Sequence, residues 1–238
     1  MAALCDLCFP LFDFERAFLE GRGVPCRWFG HPLSGILKDV VPADVGSPKE
    51  KTVALLPGSR KSEVSKLLPV LLETAEGLAA RGYRPVFSAA PGLRVETSAM
   101  IRDRCRRWDV YDGPGAALMA ASKLVIGSSG TAAVEALMLG RYMIVLYRAS
   151  LSSWLAYKVF VRTRWVSIPN ILAGGGLYPE LLQFEATPGK VLRHFDDYVG
   201  DPTLRRRIDG MMRTAARSLD GDDAPRCWAG SILEALSS

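Results

Sequence analysis

Between residues 52 and 147 the chain alternates between two kinds of apolar pattern. Short runs with few polar breaks, such as "TVALL" at 52–56, read as strands buried on both faces. Longer blocks repeat every three or four residues. Over 62–80, Val64, Leu67, Leu68, Leu71, Leu72, Ala75 and Leu78 follow the 3.6-residue period and predict a helix with one buried face. The same reading predicts strands at 84–90, 108–112, 123–127 and 142–147. It predicts helices near 95–107, 114–121, 131–139 and 151–160. Strand and helix in strict alternation predict βαβ units, hence an α/β fold with a Rossmann-like, doubly wound parallel sheet. After "WVSIPN" (165–170) the pattern turns mostly helical.

The ends of the chain read differently. Residues 1–30 suggest a strand, a short helix over Phe14–Leu19 and a second strand over Cys26–Phe29. A chain that opens inside a strand reads as the tail of a domain, with more sequence expected upstream. The stretch "VVPADVGSPKEK" (40–51) reads as a linker.

Composition narrows the function classes only a little. The 238 residues are 49% hydrophobic and 23% charged, enough for one large core or two modest ones. A net charge of +5 fits nucleic acid, phosphorylated small molecules or an anionic membrane surface. The basic clusters fall on predicted helices without an aromatic strand platform, which argues against nucleic acid. Five irregularly spaced cysteines form no disulfide framework, and no apolar run approaches the ~18 residues of a membrane span. A cytosolic location is expected.

The chemistry concentrates in two small-residue turns. "PGSR" (57–60) follows the first strand and "GSSGT" (127–131) follows the fourth. In an open parallel sheet, ligands sit at the strands' carboxyl ends, where helix N-termini attract anions, phosphate above all. Glycine admits close backbone approach, while Ser128, Ser129 and Thr131 add hydroxyls without bulk. Glu135, one helical turn beyond Thr131, is placed to hold a ribose diol. One such turn could equally be only a tight turn with an N-cap; two on one sheet edge favour a ligand. Neither G-x-x-x-x-G-K-[ST] nor a strand-borne G-x-G-x-x-G is present, so an ATPase or a dehydrogenase is not supported.

Other tempting residues have plainer readings. His31 could serve as a base, but reads better as structural, and His194 as an ordinary helix residue. Cys5 and Cys8 form a C-x-x-C with no second pair, so no zinc site is expected. "DGDD" (220–223) has the D-x-D spacing of some metal-binding transferases, yet lies between helices and reads as a solvated loop. "SSWLAYKVFVRTRW" (152–165) reads as a core helix with exposed basic residues, or as a contact with an anionic bilayer or acyl chains.

Taken together, "FGHPLSG", "LLPGSRKSEV", "IGSSGTAAVEALMLG", "VLYR", "WLAYKVFVRTRWVSIPNILAG" and "PELLQFEATP" occur in the order and spacing of the lipid-A-disaccharide synthases, a family of GT-B type, from residue 4 to about 190. The resemblance implies the C-terminal, donor-binding part of a GT-B fold. Residues 1–39 would be the remnant of an acceptor domain, 52–200 the UDP-sugar-binding domain, and 201–238 helices packing back on the N-terminal domain or on a partner in a homodimer. The implied reaction transfers 2,3-diacylglucosamine from UDP to 2,3-diacylglucosamine 1-phosphate (lipid X), without cofactor or metal, at the inner-membrane surface. Carried over, Gly58, Ser59 and Arg60 would lie by the donor, with Arg60 stabilising the leaving group. Ser128, Ser129, Gly130, Thr131 and Ala132 would cradle the diphosphate and Glu135 the ribose. Tyr147, Arg148 and Asn170 would line the donor cleft. The general base would belong to the N-terminal domain.

The sequence also departs from the family's pattern. Gly175 and Gly176 replace a basic and an acidic residue, and Phe184 an acidic one. A noncatalytic UDP-sugar-binding module therefore stays open. So does a UDP-sugar 2-epimerase of the same architecture, although "PNILAG" and the aromatics argue against it.

Overall fold

A computed structural model describes residues 4–46, 48–148 and 164–237. The helix expected near 151–160, with its aromatic and basic residues up to Arg162, lies outside the described residues. The chain forms two compact units, one of residues 40–213 and one of residues 1–39 with 214–238.

The larger unit is built on six parallel strands: β1 (Thr52–Leu56), β2 (Arg84–Ser88), β3 (Asp109–Tyr111), β4 (Leu124–Ser128), β5 (Tyr142–Tyr147) and β6 (Glu180–Leu182). Their spatial order is β3-β2-β1-β4-β5-β6, the doubly wound arrangement that the alternation predicts. The chain reverses its direction of sheet growth between β1 and β4, so those two neighbours frame the switch point. Val53, Ala54 and Leu55 of β1 and Leu124, Val125 and Ile126 of β4 are completely buried, as expected of strands covered on both faces.

Among the described residues, the helices of this unit ahead of its C-terminal helix are α3 (Lys61–Ala80), α4 (Val95–Arg104), α5 (Gly115–Ala120), α6 (Thr131–Met138), α7 (Ile168–Leu172) and α8 (Pro188–Gly200). The apolar stripe of α3 is the predicted one: Val64, Leu67, Leu68, Leu71, Ala75 and Leu78 are buried, and Leu72 is half-buried. The next helix, α9 (Pro202–Arg217), runs across the boundary between the units.

Two features escaped the pattern. The short strand β6 lies in a stretch read as helical, because three residues at a sheet edge carry too little periodicity to register. Residues 40–51, read as a linker, are held to the sheet unit. Ala43 donates its N–H to the Ala117 carbonyl (3.0 Å), Arg84 Nη1 donates to the Gly46 carbonyl (2.8 Å), and Lys123 Nζ pairs with Glu50 Oε2 (2.6 Å).

In the smaller unit, α1 (Asp13–Glu20) matches the expected short helix, and α2 (Leu33–Lys38) follows it. The two flanking strands reduce to one parallel bridge between Cys8 and Cys26, made by the Cys8 N–H to Pro25 O and the Arg27 N–H to Cys8 O. The final helix, α10 (Ala224–Leu236), belongs to this unit, where Arg27 Nη1 donates to Ser231 Oγ (3.2 Å) and Glu234 Oε2 (3.1 Å). His31 is buried here. Its Nδ1 accepts the Leu33 N–H at 3.2 Å, and burial pushes its pKa below the ordinary value, in keeping with a structural role.

The β1–β4 contact has one strict requirement. Gly127 pairs with Leu56, and a β-carbon at Gly127 would collide with the Leu56 carbonyl oxygen, a backbone atom with no freedom to move aside. Gly127→Ala should therefore destabilise the chain by about 1–3 kcal/mol, the range for overpacking a tight core. Urea unfolding measures this, and a loss below about 0.5 kcal/mol would contradict the packing argument.

Candidate functional site

The carboxyl ends of β1, β2 and β4 surround a cavity of about 460 Å³. Its first wall is the turn after β1, from Pro57 to Arg60, which leads into α3. Gly58 takes φ +109°, a conformation that side chains rarely adopt. The second wall is the turn after β4, with Ser128, Ser129, Gly130, Thr131 and Ala132. Gly130 begins α6 at φ +134°, ψ −148°, a region open essentially only to glycine.

These turns leave donors free. Among the described residues, the N–H groups of Gly130, Thr131 and Ala132 have no hydrogen-bond partner. They sit at the positive end of α6, so the arrangement attracts an anion. No side chain caps α6, since Ser128 Oγ turns to the Ser129 carbonyl at 3.3 Å.

Glu135 lines the same cavity, half-buried on the first turns of α6. Its carboxylate has no hydrogen-bond or ion-pair partner among the described residues, and burial raises its pKa above the ordinary 4.5. A desolvated carboxylate without a donor is costly, and hydroxyl groups of a ligand would relieve that cost. Arg60 stands at the rim with its side chain 79% exposed, its Nη1 3.7 Å from Glu63 Oε1.

The structure thus brings together Gly58, Ser59, Arg60, Ser128, Ser129, Gly130, Thr131, Ala132 and Glu135. Tyr147, Arg148 and Asn170, which the sequence reading placed in the donor cleft, do not line this cavity. The Arg148 guanidinium donates to the carbonyls of Gln183 (3.3 Å), Lys66 (3.4 Å) and Ala186 (2.8 Å), tying α3 to the turn after β6. Asn170 is fully buried. It donates to the Tyr178 carbonyl (2.9 Å) and Glu180 Oε1 (2.7 Å) and accepts the Tyr178 N–H (2.7 Å). Arg148 directly follows β5 and Asn170 is a polar residue within a family motif, which is why the sequence does not separate them from ligand contacts. Tyr147 ends β5, half-buried.

Sequence reasoning missed Glu63, Ser88, Ala90, Leu93 and Gly115, all of which line the cavity. The rule that found the other turns would have found three of them, because Ser88 and Ala90 end the β2 segment and Gly115 opens the helix after β3. Gly175 and Gly176, where the family pattern expected charges, precede β6 and do not line the cavity. Both take positive φ, and a β-carbon on Gly175 would come within 3.0 Å of the Trp165 ring. Phe184 is 77% exposed beyond β6, also outside the cavity.

The family described as lipid-A-disaccharide synthetase matches residues 1–206. The chain belongs to the lipid-A-disaccharide synthase family. The enzyme of that name from Pseudomonas fluorescens (strain SBW25) is 36% identical over 98% of this chain and 64% of its own length. The enzyme from Azotobacter vinelandii is 40% identical over 97% of this chain and 63% of its own length. The chain therefore spans less than two thirds of these lipid-A-disaccharide synthases. Among solved structures, UDP-GlcNAc 2-epimerase from Neisseria meningitidis, bound to UDP-GlcNAc, matches with a TM-score of 0.60 at 12% identity, over 98% of this chain and 62% of that one. At that identity the likeness is one of fold, the Rossmann-like half of the GT-B architecture, and it does not make an epimerase of this family member. No helix among the described residues is long and apolar enough to cross a membrane.

The raised pKa of Glu135 has a signed consequence. The folded chain holds the proton more tightly than the unfolded chain, so stability falls as pH rises from about the unperturbed 4.5 through the elevated value. Glu135→Gln should remove that part of the pH dependence and be no less stable than the wild type at neutral pH. Urea unfolding across pH 4–8 checks this; a wild-type profile that Glu135→Gln leaves unchanged would contradict it.

Proposed function

We propose that this chain supplies the donor half of a lipid-A-disaccharide synthase, binding a UDP-sugar with its diphosphate on the two turns and its ribose on Glu135. The observation that carries the reading is the convergence on a single cavity of helix N-terminal N–H groups and one half-buried carboxylate, none of them with a partner among the described residues. Diphosphate suits the donors, and a vicinal diol suits the carboxylate. Family membership supports a reading in which 2,3-diacylglucosamine passes from UDP to 2,3-diacylglucosamine 1-phosphate.

The chemistry is a displacement at the anomeric carbon. An acceptor hydroxyl oxygen forms the new bond to that carbon, and the bond to the diphosphate oxygen breaks, its electron pair leaving with UDP. The N–H groups of Thr131 and Ala132 and the Arg60 guanidinium stabilise the charge that grows on the departing diphosphate. The hydroxyl proton passes to a base in the portion of the relatives' length that this chain does not span. That portion, in the same polypeptide or as a partner, also supplies the acceptor site. Acyl-bearing substrates place the work at the membrane surface, with the assembly attached peripherally and its C-terminal helices available for a homodimer.

Titration calorimetry with UDP tests the donor reading. Metal-independent binding is expected, with affinity reduced about tenfold or more in Glu135→Ala, the scale of a lost charge-assisted hydrogen bond. Failure of the folded wild-type chain to bind UDP, or equal binding by the variant, would contradict it.

A further inference from the structure

The cavity contains a second carboxylate, and its position is unusual for a site that attracts anions. Glu63 sits on the first turn of α3 with its side chain only 17% exposed. Its Oε2 accepts the Ser59 N–H at 3.3 Å, and its Oε1 lies 3.7 Å from Arg60 Nη1. A β-carbon on Gly58 would stand 2.7 Å from Oε2, so the turn makes room for this carboxylate by carrying glycine there. The Arg60 side chain has no other ion-pair or hydrogen-bond partner among the described residues. The carboxylate thus holds a backbone amide and stands within ion-pair range of a guanidinium at a helix N-terminus, donors that a phosphate would use.

We propose that Glu63 is a positioning residue that acts as an internal surrogate for phosphate: it holds the Ser59 amide and Arg60 in the empty cavity, yields them to the ligand's diphosphate, and takes them back as the diphosphate product leaves. The inference rests on the donor-site reading above and adds a role in product release. Two anions cannot share these donors without repulsion, so an entering diphosphate displaces the carboxylate. Re-formation of the Glu63 contacts then competes with the bound diphosphate and shortens its stay. A helix-capping role alone would act on fold stability and would treat ligands with and without phosphate alike.

Glu63→Gln separates the two roles, because glutamine keeps a carbonyl oxygen for the Ser59 N–H and removes only the charge. Stopped-flow displacement should show UDP leaving the variant up to about fivefold more slowly than the wild type, the upper end for a partly exposed charge contact. Uridine, which lacks phosphate, should bind both proteins equally. Unchanged or faster UDP release, or a parallel change with uridine, would overturn the proposal. If the wild type binds no UDP, the donor reading fails, and pyrophosphate decides for Glu63. Tighter pyrophosphate binding by Glu63→Gln than by the wild type would sustain the exchange. Equal binding, or none to either protein, would overturn it.

Discussion

The cavity depends on one backbone approach, the parallel pairing of β1 with β4 at Leu56 and Gly127. Parallel strands carry all their carboxyl ends to the same edge, so the helices that follow them present their N-termini side by side. A side chain at Gly127 would force the two strands apart just where both turns begin. The turns after β1 and β4 are far apart in sequence, and this pairing makes them neighbours. Gly58 and Gly130 then supply the backbone conformations that bring the chain from strand into α3 and α6.

The charges of the site follow from the same geometry. Two glutamates enter one cavity from two helix starts, and their surroundings give them different properties. Glu63 meets a backbone amide and an arginine, and so is anchored. Glu135 meets no donor among the described residues, and burial lifts its pKa. On the proposed reading the first is exchanged for the diphosphate and the second is satisfied by the ribose. The site is therefore complete electrostatically only when a ligand carrying both groups is present.

Much of this was legible in the sequence because it is local. Buried strands announce themselves as apolar runs, α3 announces itself by its 3.6-residue stripe, and small-residue turns mark the carboxyl edge. The parts that were not legible depend on contacts between distant segments. Asn170 looks like a site residue beside Pro169, yet its amide serves Tyr178 and Glu180. Arg148 looks like a cation for an anionic ligand, yet three carbonyls from two segments hold it. Strand β6 is too short for a periodicity, and the segment 40–51 has a linker's composition although Ala43 and Glu50 fasten it to the sheet unit. Glu63 was hidden for the opposite reason: an acidic residue in a first helical turn is ordinary, and only the bond to Ser59 sets it apart.

The account's central claim is that the α6 N-terminus and Glu135 together recognise a nucleoside diphosphate. The crystal structure of the chain with UDP tests it most directly. The account predicts phosphate oxygens within about 3.2 Å of the Thr131 and Ala132 amide nitrogens and both ribose hydroxyls on the Glu135 carboxylate. UDP bound elsewhere, or in this cavity with its ribose turned away from Glu135, would contradict it.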